Sequence, residues 1–149
     1  MSTPIEVERL MEGPLHWFLE WPIADLPPTG VYTIWDREDN FIYVGVGGIK
    51  EGGGRKGMWG RLNAHANGRR SGNQFCIYVS DRFVLPNLRD KLADIGAGLF
   101  NIDAATGDYI RSNFGFRFSP MSCGVSARKL ERQIQRGKFG QQPFLNAES

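Results

Sequence analysis

Two apolar stretches, residues 31–36 and 41–46, are rich in β-branched and aromatic residues and are joined by Arg37-Glu38-Asp39-Asn40. Turn chemistry between two such runs predicts a β-hairpin. Ahead of it, apolar residues at Ile5, Leu10, Met11, Leu15, Trp17 and Phe18 are interrupted by Gly13 and Pro14, which predicts one short helix, a break and a second short apolar piece. Residues 47–60 carry seven glycines, too many for a regular element, and predict a mobile loop whose backbone can approach a ligand closely. Helical character resumes over 59–66. The alternation of Phe75, Ile77 and Val79 with Cys76, Tyr78 and Ser80 predicts a third strand over 74–84. Pro86 opens a further helix through Leu88, Leu92 and Ile95 that ends near Gly96 and Gly98, and 101–108 read as loop. Residues 113–118 predict a short strand. Residues 126–136 predict a basic amphipathic helix with Leu130 and Ile134 facing inward.

With 149 residues, 41% of them hydrophobic and 23% charged, the chain suits one compact globular domain and excludes coiled coil, collagen and wholesale disorder. No stretch approaches the ~18 apolar residues of a membrane span, and the acidic start does not resemble a secretion signal, so a soluble, cytoplasmic protein is expected. Cys76 and Cys123 lack metal-ligand spacing and read as reduced core residues. The net charge of +2 conceals an uneven distribution. Residues 1–51 hold nine acids and three bases, whereas 52–80 hold five bases (Arg55, Lys56, Arg61, Arg69, Arg70) and no acid. From Tyr109 onward seven bases face only Glu131 and Glu148. Two basic regions can form one face for a polyanion such as nucleic acid, the alternative being a solvated Arg-rich surface.

Tyr32 and Tyr43 fall on the two arms of the hairpin, flanked by glycine in mirror order: Gly30-Val31-Tyr32 and, ten residues on, Tyr43-Val44-Gly45. A single strand tyrosine is ordinarily a packing residue; the paired pattern is what makes these candidates. Arg61 and His65 are four apart in a helical segment and project from one face, where both can reach the same phosphate. Glu131 is the one acid between Tyr109 and Ala147. It reads either as a salt-bridge partner among Arg128, Lys129, Arg132, Arg136 and Lys138 or as the oxygen ligand that a hard divalent cation needs.

These elements resemble the GIY-YIG nucleases. The two glycine-flanked tyrosine triplets are similar to the motif that names the family, Arg61 and His65 to its helix arginine and following histidine, and Glu131 and Asn146 to its metal-binding glutamate and late asparagine. The resemblance covers most of the chain from Thr29 to Ala147. It implies a small α/β (α+β) domain, with a central three-stranded sheet flanked by helices, spanning 29–149. Residues 1–28 would be an N-terminal helical extension, and 47–60 and 86–118 insertions. It implies a stand-alone, metal-dependent DNA endonuclease whose catalytic residues are Tyr32, Tyr43, Arg61, His65, Glu131 and Asn146.

In that scheme Glu131 holds one Mg²⁺ or Mn²⁺, Arg61 is the cation on the scissile phosphate, and Tyr32 deprotonates or orients the attacking water. An unperturbed tyrosine titrates near ~10, so Tyr32 is a base at neutral pH only if its proton is taken up elsewhere. Tyr43 and His65 are phosphate donors or proton relays, and Asn146 orients by hydrogen bonding. Gly30 and Gly45 keep backbone close where a side chain would block the site. Arg55, Lys56, Arg69, Arg70, Arg128 and Arg132 are expected to bind the nucleic-acid backbone. Trp59 either stacks on a base or anchors the core, and His16 reads as packing. One active site cuts one strand, so double-strand cleavage would call for a homodimer. The alternatives are a non-cleaving nucleic-acid-binding module on this fold, or a nuclease for RNA or for single-stranded or structured substrates.

Overall fold

The computed structural model describes residues 4–23, 25–49 and 57–149. An antiparallel sheet of order β1-β4-β2-β3 runs through it, built from β1 (His16–Trp17), β2 (Gly30–Asp36), β3 (Phe41–Gly47) and β4 (Phe114–Pro120). The helices among the described residues are α1 (Pro4–Glu12), α2 (Gly57–Ala66), α3 (Gln74–Val79), α4 (Leu92–Gly96), α5 (Ile102–Asn113) and α6 (Gly124–Gln135), with short 3₁₀ and π segments between them. The chain is thus a mixed α/β domain with three long strands and flanking helices, the class that the sequence predicts. No helix among the described residues is long and apolar enough to cross a membrane.

The hairpin forms where the sequence puts it. Its turn is tied by the Asp36 carboxylate, which accepts from the backbone N–H groups of Glu38 and Asn40, each at 2.9 Å. Asp39 takes the left-handed conformation that closes the loop, with φ 64°. Strand β2 lies inside the sheet, with Tyr32 opposite Gly45 on β3 and Phe118 on β4.

Two sequence readings are corrected. Residues 74–84 are helical throughout, α3 continuing into a π-helical turn at Ser80–Val84. Asn73 decides this, because its side-chain oxygen caps the helix by accepting from Cys76 N–H at 3.2 Å. The buried set Phe75, Cys76 and Val79 then follows helical spacing. Residues 101–108, read as loop, begin α5, capped in the same way by Asn101 accepting from Ala104 N–H at 3.0 Å. Its buried Thr106, Gly107 and Ile110 form a narrow apolar face with little side-chain bulk to advertise it. The third long strand is instead β4, which lies between β1 and β2 in the part of the chain read as an insertion.

Side chains pack on both faces of the sheet. One core gathers Phe18, Tyr32, Ile34, Tyr43, Met58, Leu62, Phe75, Cys76 and Phe114. The other holds Leu10, Val31, Trp35, Val44, Val46 and the inward residues of α6, Ala127, Leu130 and Ile134. Residues 1–28 contribute to both through Leu10 and Phe18, and β1 pairs with β4. Cys76 is buried as expected; Cys123, read as a core residue, is exposed, because it immediately precedes α6.

The outer edge of β3 is covered by the end of the chain. Phe144 N–H donates to Phe41 O at 3.0 Å and Leu145 N–H to Ile42 O at 2.9 Å. Asn146 extends the pairing with its side chain, accepting from Val44 N–H at 3.2 Å and donating to Val44 O at 2.7 Å. An edge strand satisfied in this way presents no free ladder at those positions.

Candidate active site

Strand pairing sets the first part of the site. Because Tyr32 faces a glycine across β2 and β3, its ring occupies the space that a side chain on residue 45 would take. A Cβ built on Gly45 would sit 2.5 Å from Tyr32 Cζ and closer still to its hydroxyl oxygen. The glycine therefore makes room for the phenol. Gly30 and Gly47 form a second cross-strand glycine pair, and Met58 of α2 fills the space above both.

Helix α2 crosses this face and brings Arg61 and His65 to the two tyrosines. The Tyr32 hydroxyl and His65 Nε2 are 2.6 Å apart in the buried interior. His65 stacks edge-on against both phenols, with ring centroids 5.6 Å from Tyr32 and 6.1 Å from Tyr43. The Arg61 guanidinium lies in the electrostatic field of both hydroxyls. Burial works against its charge, but the two phenols more than offset that, and its pKa ends above the ordinary value. Arg61 is the fixed cation of the cluster.

Burial pushes the Tyr32 hydroxyl well above its ordinary pKa, reinforced by Tyr43 and opposed by Arg61. The same burial lifts Tyr43 to about 12, again against Arg61. Both are protonated phenols at neutral pH. His65 moves the other way: burial, then the nearby Arg61 charge, lower its pKa well below the usual imidazole range, with Asn73 pulling in the opposite sense. A neutral imidazole against a protonated phenol is a hydrogen-bonded donor–acceptor pair.

Glu131 comes from α6, which packs along β2 and β3. Its carboxylate shares a field with Tyr32, Tyr43 and Arg61. Burial raises its pKa, while Arg128 and Arg61 lower it and Glu148 raises it further. Among the described residues its direct partner is Arg128, at a long 3.4 Å. This donor set fits a hard cation held by one carboxylate with water and substrate oxygens completing the shell. It does not fit a closed structural metal centre, since no group of three His, Cys, Asp or Glu side chains converges among the described residues. Asn146 stands one step back, its amide spent on the Val44 backbone beside Gly45. It positions the strand.

The residues expected on the nucleic-acid surface divide. Arg69 and Arg132 are exposed. Arg70 is held by Asp103 at 2.5 Å, and Arg128 by Glu131. Trp59 is partly exposed and lies 5.7 Å from the Trp21 ring, so it is packed on one side and open on the other. Arg55 and Lys56 lie outside the described residues. His16 packs between Phe116 and Phe118, as a packing residue should.

Sequence reasoning missed Asn73, which is buried and caps α3. The available signal was an asparagine directly ahead of an apolar run, the mark of a helix N-cap. Compared with known proteins, the chain matches no family model, and neither a curated protein nor a solved structure matches it.

Proposed function

We propose that this chain is a metal-dependent endonuclease of GIY-YIG type that acts in the cytoplasm and hydrolyses phosphodiester bonds of DNA. The observation that carries the reading is the electrostatic coupling of Tyr32, Tyr43, Arg61, His65 and Glu131, drawn from β2, β3, α2 and α6, with the tyrosines and His65 buried and Arg61 and Glu131 half-buried. An ion-pair network on a surface has no need of two phenols stripped of water around an arginine.

Each residue then has a task. Tyr32 orients the attacking water and takes its proton as its own hydroxyl proton passes to His65 Nε2. The water oxygen forms the new bond to phosphorus and the bond to the leaving nucleotide oxygen breaks, that oxygen being protonated from solvent. The low pKa of His65 keeps the resting ring neutral, with Nε2 available for a hydrogen bond from the Tyr32 hydroxyl. Arg61, with Tyr43 as a neutral donor, compensates the charge that builds on the phosphoryl oxygens. Glu131 would hold one Mg²⁺ or Mn²⁺, which when bound supplies Lewis-acid stabilisation at the phosphate. Arg69 and Arg132 add the salt-sensitive backbone attraction.

The test incubates the purified chain with supercoiled plasmid, linear duplex, single-stranded DNA and RNA, in Mg²⁺, Mn²⁺ or EDTA, beside Glu131→Ala. Metal-dependent cutting of DNA that the variant loses while still binding is the expected result. Cutting of RNA alone would reassign the substrate. Binding without cutting under any condition would replace the nuclease with a non-cleaving module.

A further inference from the structure

Of the chain's four tryptophans, Trp35 is buried, Trp17 and Trp21 are half-buried and Trp59 is exposed. Trp17 and Trp35 each have a face covered by a guanidinium, that of Arg37 at 4.4 Å and that of Arg117 at 4.9 Å. Trp59 is backed instead by a second indole: the Trp21 ring lies 5.7 Å away at an interplanar angle of 38°. Trp21 is itself fixed. Its Nε1 donates to Asn63 Oδ1 at 2.8 Å, and its ring is braced by Phe116 at 6.1 Å and Phe18 at 6.3 Å. The segment read from the sequence as an N-terminal extension thus reaches α2 and supports a side chain on it.

Helix α2 carries this ring and Arg61 together. Met58, Leu62 and His65 form its buried stripe, and helical spacing sends Trp59 and Arg61 out on opposite flanks of that stripe. Gly60 and Ala64 stand between them on the outward side, where their lack of bulk lets a polymer backbone pass close to the helix. The surrounding charge favours a polyanion, because residues 52–80 hold five bases and no acid. A nucleobase suits a flat apolar ring in such a field, since every base has a π-face and is joined to a phosphate. Inside a duplex both faces of a base are covered by its neighbours. The Trp59 ring can therefore serve only an unpaired one.

We propose that Trp21 and Trp59 form a stacking platform for an unpaired nucleobase: Trp59 meets the base, and Trp21, locked by Asn63, holds the Trp59 ring in place. This rests on the nucleic-acid reading above and narrows it. The favoured substrate carries a single-stranded segment that crosses the back of α2 between Arg61 and Trp59. Fixing the ring before binding reduces the entropy lost when the base docks. Stacking of this kind tolerates any base, so the platform adds affinity without sequence preference.

The test measures binding of the full chain, in EDTA to hold metal-dependent cutting off, to oligothymidylate and to a blunt, GC-rich duplex of the same length at one salt concentration. Anisotropy of the labelled nucleic acid gives Kd, and the chain's own tryptophan emission reports stacking. Oligothymidylate is expected to quench the parent's emission. Trp59→Ala should raise the Kd for oligothymidylate about 5- to 150-fold and leave the duplex Kd unchanged. Trp59→Phe keeps a ring, and should retain most of the affinity while losing most of the quench. Asn63→Ala frees the Trp21 indole and should weaken oligothymidylate binding by a smaller factor than Trp59→Ala. Parent emission that stays unchanged at saturating oligothymidylate overturns the proposal even if no variant folds. A folded Trp59→Ala that binds oligothymidylate as the parent does, or that loses both nucleic acids equally, overturns it too. Trp59-dependent stacking in a chain that cuts nothing would uphold the platform and sink the nuclease reading. Metal-dependent cutting by a parent that shows no quench would sink the platform and leave the nuclease reading in place.

Discussion

Gly45→Ala tests the site through a single methyl group. The added Cβ would lie 2.5 Å from Tyr32 Cζ, whereas ordinary contact begins near 3.4 Å, so something must yield by about 1 Å. Tyr32 has little freedom to do so. Its ring is fully buried, lies 6.5 Å from the Tyr43 ring centroid, and its hydroxyl is tied to His65 at 2.6 Å. Overpacking of this kind costs about 1–3 kcal/mol of stability. A reacting group misplaced by about 1 Å costs on the order of 10²-fold in rate, or about 2.7 kcal/mol in the barrier. The folded variant should therefore bind DNA as the parent does and cut it roughly a hundred times more slowly, with its urea midpoint lowered. Single-turnover cleavage and urea unfolding monitored on the same preparations read both effects. A variant that cuts at the parental rate and unfolds at the parental midpoint would mean that Tyr32 does not occupy the space over Gly45, and the geometry of the site would be wrong.

Two further outcomes follow from other parts of the site. His65 has its folded pKa lowered, so the unfolded chain binds the extra proton first as pH falls below the ordinary value of 6.5. Its contribution is therefore present above that pH and lost below it, at up to about 1.4 kcal/mol per pH unit. Urea unfolding at pH 7 and pH 5 should show a steeper loss for the parent than for His65→Gln; equal losses would refute the burial argument. Asn146→Ala removes both bonds to the Val44 backbone, at 3.2 and 2.7 Å, and should cost about 1–3 kcal/mol in the same assay, with an unchanged midpoint counting against the clamp.

The hairpin was legible because its signals are local: two apolar runs, a polar turn and an Asp36 whose carboxylate ties that turn. Leu130 and Ile134 were legible for the same reason, through the spacing of an amphipathic helix. The error at 74–84 shows where local reading fails. Phe75, Ile77 and Val79 alternate as a strand would, yet the cap supplied by Asn73 and burial against the hairpin select a helix. Tyr32, Tyr43 and His65 come together in space because β2, β3 and α2 pack on one face of the sheet. What sequence reading could not supply is which neighbour each polar atom meets. The role of Gly45 in making room for a phenol and the hydrogen bond between Tyr32 and His65 depend on packing between segments apart in the chain.

The strap formed by residues 144–146 also bears on the order of assembly. Val44 and Asn146 are separated by 102 positions, so their contact closes a long loop and carries a larger entropy cost than the local contacts do. The hairpin and α2 have only short loops to close, and can form early. During synthesis the tyrosines and Arg61 would emerge about a hundred residues before the segment that secures β3. Glu131, on α6, follows them out only shortly before that strap. A nascent chain would thus hold the tyrosine and arginine half of the cluster long before the carboxylate half, and the complete cluster would be one of the last things to form.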